Sequence, residues 1–248
     1  MLLDNKTAVI YGGGGDIGGA MARGFAAEGA RVFLAGRTQG KLDAVAGQIR
    51  EAGGLAETAL VDALDERAVD DYTASVAAQG GGIDISVNVI THQTLFTPLL
   101  GMPADDFAAS FQRIAKTFLI TTKAAARHMT KQGSGVILHF GGSDNVPSPG
   151  LGNVQITFDL IESMRRQWGC ELGPHGVRVV TLRTGGIPES LPDTEEMAPH
   201  RQSMIDSTQL KRAATLADVG HVAAFVASDR GRTLTSTQVN ISCGALVD

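Results

Sequence analysis

Seven short runs of β-branched and aliphatic residues alternate with longer, alanine-rich amphipathic runs, and no other feature of the sequence narrows the fold so far. A strand, a helix and a second strand in this order favour parallel pairing, and a parallel sheet needs helices on both faces. The sequence predicts an α/β fold with one seven-stranded, parallel, doubly wound sheet. The predicted strands are 7–11, 30–36, 56–61, 83–88, 135–140, 176–182 and 237–242, and the predicted helices are 16–29, 40–52, 65–79, 104–131, 154–173 and 216–228.

The chain has 248 residues, and its regular alternation shows neither an internal repeat nor an interdomain linker. We therefore expect a single domain over 1–248. The least regular segment, 184–212, contains three prolines between two regular regions. Because long irregular segments in compact domains often carry function, we expect 184–212 to form a lid over the carboxyl-terminal edge of the sheet.

The charge distribution and the cysteines limit the possible partners. A net charge of −5 and a pI near 5.7 argue against a nucleic-acid partner or a polybasic membrane patch. The N-terminus does not resemble a signal peptide, and no apolar run approaches the length of a membrane span. The two cysteines, Cys170 and Cys243, lack metal-ligand spacing, so no metal site is expected. The simplest interpretation is a reduced cytoplasmic protein.

A glycine-rich loop lies between the first predicted strand and the first predicted helix. Its segment Gly13-Gly14-Gly15-Asp16-Ile17-Gly18 is a GxGxxG sequence, and Gly12, Gly15 and Gly18 are also spaced at intervals of three. Such a loop lets the backbone approach a pyrophosphate while the N–H groups of the helix N-terminus face the phosphates. A sharp turn that binds nothing is the alternative. Asp16 supports that alternative, because its carboxylate could cap the helix and repel a phosphate.

The end of the second strand bears on the choice of dinucleotide. An NAD site usually has an acidic residue there, which accepts hydrogen bonds from the adenosine ribose hydroxyls. This chain instead has Gly36-Arg37-Thr38, and Arg37 could pair with a 2′-phosphate. We therefore expect NADP(H) to be favoured over NAD(H). The alternative is that Arg37 is a solvated side chain at the start of a helix.

Over essentially its full length, the chain resembles the short-chain dehydrogenase/reductase family. The resemblance is carried by "YGGGGDIGGAMARGFAAEGARVFLAGR", "VDALDE", "IDISVN", "GSGVILHFGGS", "ELGPHGVRVVTLRTGGI" and the tail "DVGHVAAFVASDRGRTLTSTQVNISCGALVD". It implies a Rossmann fold, an oxidoreductase activity on a small-molecule substrate, and a homotetramer or homodimer. It also implies that Asp62 contacts the adenine and that Asn88 belongs to the cofactor site.

The resemblance also implies catalytic positions, and here the chain departs from the family. The family uses a Tyr to exchange the proton, a Lys four residues later that lowers the phenol pKa from about 10, a Ser, and an Asn. The corresponding residues of this chain are Gln155 for Tyr, Asp159 for Lys, Ser143 or Gly142 for Ser, and Arg113 for Asn. No tyrosine or lysine occurs between Lys131 and Lys211 that could restore the pair by a shift in alignment.

Several residues could substitute for the missing groups. Ser143 could hydrogen-bond a substrate carbonyl, and Asp159 could be a general base if burial raised its pKa. Arg113 could bind a substrate carboxylate or form an ion pair with Asp159, and that ion pair would have a structural role alone. His139 has the strand parity of a packing residue.

Two further histidines, His92 and His200, are possible acid–base groups. Trp168 and Phe158 are most simply packing residues.

These observations support three hypotheses. The first is an atypical, NADP(H)-preferring oxidoreductase with a non-standard proton donor. The second is a catalytically silent protein that uses the fold as a nucleotide-responsive sensor or as a partner subunit, with the small molecule as effector. Its support is the loss of the usual catalytic residues and the β-branched "VIT" at 89–91, where the family has small residues. The third is cofactor-independent proton chemistry at Asp159 and His92.

Overall fold

The computed structural model describes residues 1–90, 97–141 and 150–247. Seven strands form one parallel sheet in the order β3-β2-β1-β4-β5-β6-β7. The predicted α/β class and the seven-stranded sheet are confirmed, and the strand boundaries agree with the sequence to within two residues. The strands are β1 (Thr7–Tyr11), β2 (Arg31–Gly36), β3 (Leu55–Leu60), β4 (Ile85–Asn88), β5 (Gly135–Phe140), β6 (Val177–Thr184) and β7 (Thr237–Ile241).

The helices connect consecutive strands and cover the sheet on both faces. Helices α1, α2 and α7 contribute to one core and α3, α4 and α5 to the other, and neighbouring residues of β1 alternate between them, with Ile10 in the first core and Val9 in the second. This is the predicted doubly wound arrangement of a single Rossmann-type domain. The helices are α1 (Asp16–Ala27), α2 (Gln39–Glu51), α3 (Glu66–Gly80), α4 (Ala104–Gln132), α5 (Val154–Leu172), α6 (Ala198–Asp206) and α7 (Leu216–Ala227).

Local sequence signals explain where several helices begin and end. The side chain of Asp65 caps α3 by accepting a hydrogen bond from the N–H of Ala68 at 3.0 Å, and Thr215 forms a capping box with Asp218 at the start of α7. Helices α1 and α2 are followed by Gly29 and Gly53, each with a positive φ angle that favours glycine.

The segment 184–212 is more regular than its sequence suggests. It contains α6 and two short 3-10 helices, Pro188–Ser190 and Glu195–Met197. The sequence analysis did not predict α6 because this helix has no buried residue, and therefore no apolar face that a periodic pattern could reveal. The segment follows β6 directly, so it leaves the sheet at its carboxyl-terminal edge.

Among the residues that the structure describes, no helix is both long enough and apolar enough to cross a membrane. Within the same ranges, no group of three or more His, Cys, Asp or Glu side chains is arranged to hold a metal ion.

Candidate cofactor-binding site

The order of the strands creates a crevice at the carboxyl-terminal edge of the sheet. The chain moves outward from β1 to β2 and β3, and then returns to place β4 on the other side of β1. Ligands of open α/β sheets bind where the strand order reverses in this way. The register places Ala35 and Asn88 on either side of Tyr11, so the loops after β1, β2 and β4 emerge together.

The glycine loop after β1 is a tight turn in which Gly12 and Gly18 leave no room for a side chain. Gly12 has a φ of +87°, and its carbonyl oxygen accepts the N–H of Gly15 at 3.1 Å. A Cβ atom on Gly18 would lie 2.3 Å from this carbonyl oxygen and 2.9 Å from Cγ2 of Val89. Both distances are shorter than any tolerable contact, so the first turn of α1 packs against the loop only because Gly18 has no side chain.

The N-terminus of α1 is open to a ligand. The residue before the helix, Gly15, has no side chain and provides no cap. Asp16 is exposed, and its carboxylate has no hydrogen-bond partner in the described part of the chain. The capping by Asp16 that the sequence left open is therefore not formed. Ile17 instead packs against the core and anchors the helix start. The uncapped N–H groups of α1 favour an anion at this position.

A cavity of about 280 Å³ adjoins this N-terminus. It is formed by the loops that follow β1, β2, β3 and β4, and its wall combines backbone, basic, acidic and apolar groups. The residues that line it are Tyr11, Gly12, Gly14, Gly15, Ala35, Gly36, Arg37, Thr38, Lys41, Leu42, Val61, Asp62, Ala63, Val89 and Ile90. Four of the predicted cofactor-binding residues thus share one cavity: Gly12, Gly15, Arg37 and Asp62.

The charged residues of this cavity differ in how they are held. Asp62 accepts the N–H of Leu64 at 3.0 Å, which fixes the turn after β3. Arg37 is exposed and forms neither a hydrogen bond nor an ion pair with a described residue. The cavity therefore offers a cationic side chain beside a helix N-terminus that already favours an anion.

Asn88, the remaining predicted cofactor residue, supports the cavity from behind. Asn88 is 3% exposed, donates to the Thr121 hydroxyl at 2.9 Å and accepts the N–H of Ile90 at 3.0 Å. These two hydrogen bonds connect the end of β4 to α4 and fix the backbone that directly follows β4. Val89 then packs against the glycine loop, and Ile90 enters the wall of the cavity.

The predicted catalytic positions on α4 and α5 are less well assembled. Asp159 and Arg113 are both exposed, and no ion pair joins these two described residues, so the predicted Arg113–Asp159 pair is not formed. The condition of burial under which Asp159 could act as a base is not met. Gln155 is half-buried in the first turn of α5. Ser143, Gly142 and His92 lie outside the described residues.

Two residues of α5, Phe158 and Ile161, lie against Gly141, the residue that follows β5. A Cβ atom on Gly141 would lie 3.1 Å from the Phe158 ring and 3.6 Å from Ile161. Val154, one turn before Phe158, is 7% exposed. The buried face of α5 thus passes through Val154 and Phe158, one position before Gln155 and Asp159. The sequence analysis assigned Phe158 to packing, and this is confirmed.

Two of the three histidines considered from the sequence, His139 and His200, lie in the described residues, and neither lines the cavity. His139 is fully buried, shares a hydrogen bond of 3.1 Å with the Thr122 hydroxyl, and meets the Phe118 ring edge to face. Burial, together with a smaller effect of the positive charge of Arg165, lowers the pKa of His139 to about 3. The predicted packing role of His139 is confirmed. His200 lies exposed on α6.

A buried ion pair lies on the sheet side of α5. The guanidinium of Arg165 donates to the Glu162 carboxylate at 2.9 Å and to the Ser236 hydroxyl at 3.3 Å. The side chains of Glu162 and Arg165 are 1% and 6% exposed. The two buried charges are therefore paired with each other inside the protein.

Lys41 and Thr38, which no sequence motif singled out, line the same cavity as Arg37. Their signal in the sequence is position alone, because α2 begins directly after β2 and its first turn must face the same crevice as the end of that strand. A basic residue within that first turn could have been identified on this ground.

Comparison with known proteins agrees with this geometry. A family profile described as enoyl-(acyl carrier protein) reductase matches residues 14–245. An uncharacterized oxidoreductase of Mycobacterium tuberculosis is 30% identical, over 98% of this chain and 92% of its own length. L-xylulose reductase of Bos taurus is 27% identical, over 98% of each chain.

Solved structures share the fold. NAD+-bound xylitol dehydrogenase superposes with a TM-score of 0.87 at 24% identity, over 98% of this chain and 100% of that one. A short-chain dehydrogenase/reductase from Serratia marcescens has a TM-score of 0.87 at 24% identity, over 99% of both chains.

Proposed function

The chain belongs to the short-chain dehydrogenase/reductase family of oxidoreductases, and we propose that it is an NADP(H)-preferring member that acts on a small-molecule substrate. The observation that carries the proposal is the cavity in which the uncapped N-terminus of α1 lies beside Arg37, a cation that pairs with no described residue. When bound, the nicotinamide supplies or accepts a hydride. The residues described below hold the nucleotide.

Each part of the nucleotide has a matching group in the protein. The backbone of Gly12 to Gly15 and the start of α1 suit the pyrophosphate, because their glycines leave the backbone accessible and their N–H groups favour negative charge. Asp62, which lines the cavity, accepts a hydrogen bond from the adenine amino group in this proposal. Asn88 keeps the end of β4 in place behind the site.

The preference for NADP(H) rests on the end of β2. Gly36 stands at the last position of the strand, and the first side chain beyond it is the guanidinium of Arg37. A guanidinium binds phosphate with two parallel hydrogen bonds, whereas a ribose hydroxyl is better served by a carboxylate. Arg37 therefore favours a 2′-phosphate over a free 2′-hydroxyl.

The proton side of the reaction is non-standard in this proposal. Ser143 hydrogen-bonds the substrate oxygen, and Gln155 orients the substrate without exchanging a proton, because an amide does not titrate in water. The exposure of Asp159 and Arg113 favours a minor role for both.

The activity is tested by following NADPH consumption with a panel of small aldehydes and ketones. We expect measurable oxidation of NADPH with at least one compound. The variant Arg37→Gln should raise KM for NADPH about tenfold or more, the effect of losing one charge-assisted contact, and leave KM for NADH within about twofold. No turnover with any compound, despite tight NADPH binding, would contradict an oxidoreductase function.

The segment 184–212 serves as a lid in this proposal. It leaves β6 at the edge of the sheet that carries the cavity, and α6 buries no side chain. We expect NADPH to slow limited proteolysis within 184–212. Equal cleavage rates with and without NADPH would argue against a lid.

The family membership also supports a cytoplasmic homodimer or homotetramer. Leu119 on α4 is 45% exposed and offers an apolar contact for a second subunit. Sedimentation of the full-length protein measures the subunit number directly, and a monomer at all concentrations would contradict this part of the proposal.

A further inference from the structure

The basic side chains of residues 1–90 fall into two groups. This part of the chain has seven lysines and arginines, and five of them contact an acceptor in the protein. These five are Lys6 with Asp84, Arg23 with Gln48, Arg31 with Glu57, Arg50 with the carbonyl of Ala56, and Arg67 with Asp71. Within the described ranges, Arg37 and Lys41 are the two without such a contact.

Both unpaired cations line the same cavity. Arg37 follows β2 directly, and Lys41 lies in the first turn of α2. Two cations on one cavity wall attract an anion more strongly than one cation does. The arrangement therefore points to an anionic ligand with more charge than Arg37 alone would neutralise.

The backbone of Lys41 and the base of its side chain are held in place by their neighbours. Its N–H donates to the carbonyl of Thr38 at 3.1 Å, and a Cβ atom on Gly14 would lie 3.0 Å from the Cβ of Lys41. The base of the Lys41 side chain is thus packed against the glycine loop, while the residue as a whole is exposed. The flexible ammonium can reach a ligand without a movement of the backbone.

The neighbouring polar groups are consistent with an anion at this place. The Thr38 hydroxyl precedes α2 but does not cap it, so it is available to a ligand. The carboxylate of Asp43, on the same helix, accepts hydrogen bonds from Gln39 at 2.7 Å and from Thr58 at 3.0 Å. This carboxylate is engaged away from the two cations.

We propose that Lys41 is a second phosphate ligand, which together with Arg37 and the Thr38 hydroxyl binds the phosphate monoester on the adenosine ribose of the cofactor. This inference rests on the proposed function and adds a residue that determines specificity. A phosphate monoester carries a charge of about −1.5 to −2 at neutral pH, which two cations match better than one.

Binding of nucleotide fragments to the full-length protein tests this role without any turnover. The probes are adenosine 2′,5′-bisphosphate, adenosine 3′,5′-bisphosphate and adenosine 5′-monophosphate, each titrated by calorimetry. The two bisphosphates differ only in the position of the second phosphate, so they show which ribose oxygen carries the phosphate. We expect the 2′,5′-bisphosphate to bind at least about tenfold more tightly than either of the others, a difference of one charge-assisted contact.

The variant Lys41→Met keeps the length of the side chain and removes its charge. We expect it to weaken binding of the 2′,5′-bisphosphate about tenfold and to change binding of the 5′-monophosphate less than about twofold. The matched control is Lys131→Met, which removes an exposed lysine at the end of α4, outside the cavity, and should change neither affinity. Circular dichroism of both variants verifies that they are folded.

The possible failures are distinguishable. If the wild-type protein binds NADPH and the 2′,5′-bisphosphate preferentially but Lys41→Met binds them as tightly as wild type, the role of Lys41 is wrong and the proposed function stands. If the wild-type protein binds neither ligand, the proposed function itself fails. Tighter binding of the 3′,5′-bisphosphate would overturn the assignment to the 2′ position.

Discussion

The two sides of the crevice are built in opposite ways. On the side of β1, β2 and β3, glycines expose the backbone, α1 begins without a cap, and Arg37 and Lys41 have no partner in the described part of the chain. On the side of β5 and α5, the buried charges Glu162 and Arg165 pair with each other, and Phe158 closes against Gly141. The first side is left ready for a charged ligand, whereas the buried charges Glu162 and Arg165 of the second side are paired with each other.

This difference shows how a binding surface can be distinguished from a packing surface within one fold. Buried polar groups are costly unless paired, so a pair such as Glu162–Arg165 indicates structure. Unpaired cations that gather on one cavity wall indicate a ligand instead. Substitutions on the two sides should therefore separate nucleotide binding from stability.

The largest effect is expected for Gly18→Ala. The added methyl group would lie 2.3 Å from the Gly12 carbonyl oxygen, so the loop and α1 must separate. We expect loss of NADPH binding and a decrease of about 2–4 kcal/mol in the free energy of unfolding.

The matched control is Gly47→Ala within α2, where a methyl group would meet no atom within 4 Å. It should raise the free energy of unfolding by about 0.5–1 kcal/mol and leave binding unchanged. Calorimetry and urea unfolding measure both quantities, and unimpaired NADPH binding by Gly18→Ala would contradict the description of the loop.

The next largest effect is expected on the free energy of unfolding alone, when the buried ion pair is broken. Glu162→Gln would leave the buried Arg165 without its carboxylate, and we expect a decrease of about 3 kcal/mol in the free energy of unfolding. Glu162→Met combined with Arg165→Met should recover most of this loss, because it removes both charges. NADPH affinity should stay within about twofold in the folded variants. A large loss of affinity in the double variant would show that the two sides are not separate.

A smaller effect should appear in the pH dependence of stability. Burial lowers the pKa of His139 to about 3 in the folded protein, whereas an unfolded histidine has a pKa of about 6.5. Between these values the unfolded chain binds a proton that the folded chain does not, so stability falls as the pH falls below about 6.5.

One such proton corresponds to a slope of about 1.4 kcal/mol per pH unit. Urea unfolding at a series of pH values should show this contribution in the wild-type protein and its absence in His139→Asn. Equal slopes in the two proteins would contradict a buried neutral histidine.

The smallest effects are expected for the exposed positions Asp159 and Arg113. Asp159→Asn and Arg113→Gln should each change the free energy of unfolding by less than about 0.5 kcal/mol, because neither side chain is buried or paired with the other. Gln155→Tyr combined with Asp159→Lys should not by itself produce a carbonyl reductase of the usual type, because Arg113 and the β-branched segment 89–91 also differ from the family. Ready NADPH-dependent reduction by this double variant, above the wild-type rate, would show that these positions face the substrate.

The sequence predicted the structure best at positions where the local conformation accepts only one residue type or one hydrophobic period. The alternation of strands and helices predicted the sheet because buried parallel strands and amphipathic helices have distinct periods. The glycines at 12 and 18 predicted the loop because no other residue fits a close backbone approach. His139 was assigned correctly from strand parity alone.

The sequence was less informative where neighbouring side chains decide the outcome. The spacing of four residues places Gln155 and Asp159 on one face of α5, but it could not predict that Asp159 is exposed while Gln155 is half-buried. The absence of an Arg113–Asp159 ion pair and the presence of Lys41 beside Arg37 both depend on which side chains find partners. Periodicity contains no information about such partners.

The most direct measurement is a calorimetric titration of the full-length protein with NADPH and with NADH at the same ionic strength. The open N-terminus of α1 and the unpaired cations beside it predict that both bind at one site per chain and that NADPH binds at least about tenfold more tightly. The absence of binding by both nucleotides, or tighter binding of NADH, would contradict the assignment of this cavity to NADP(H).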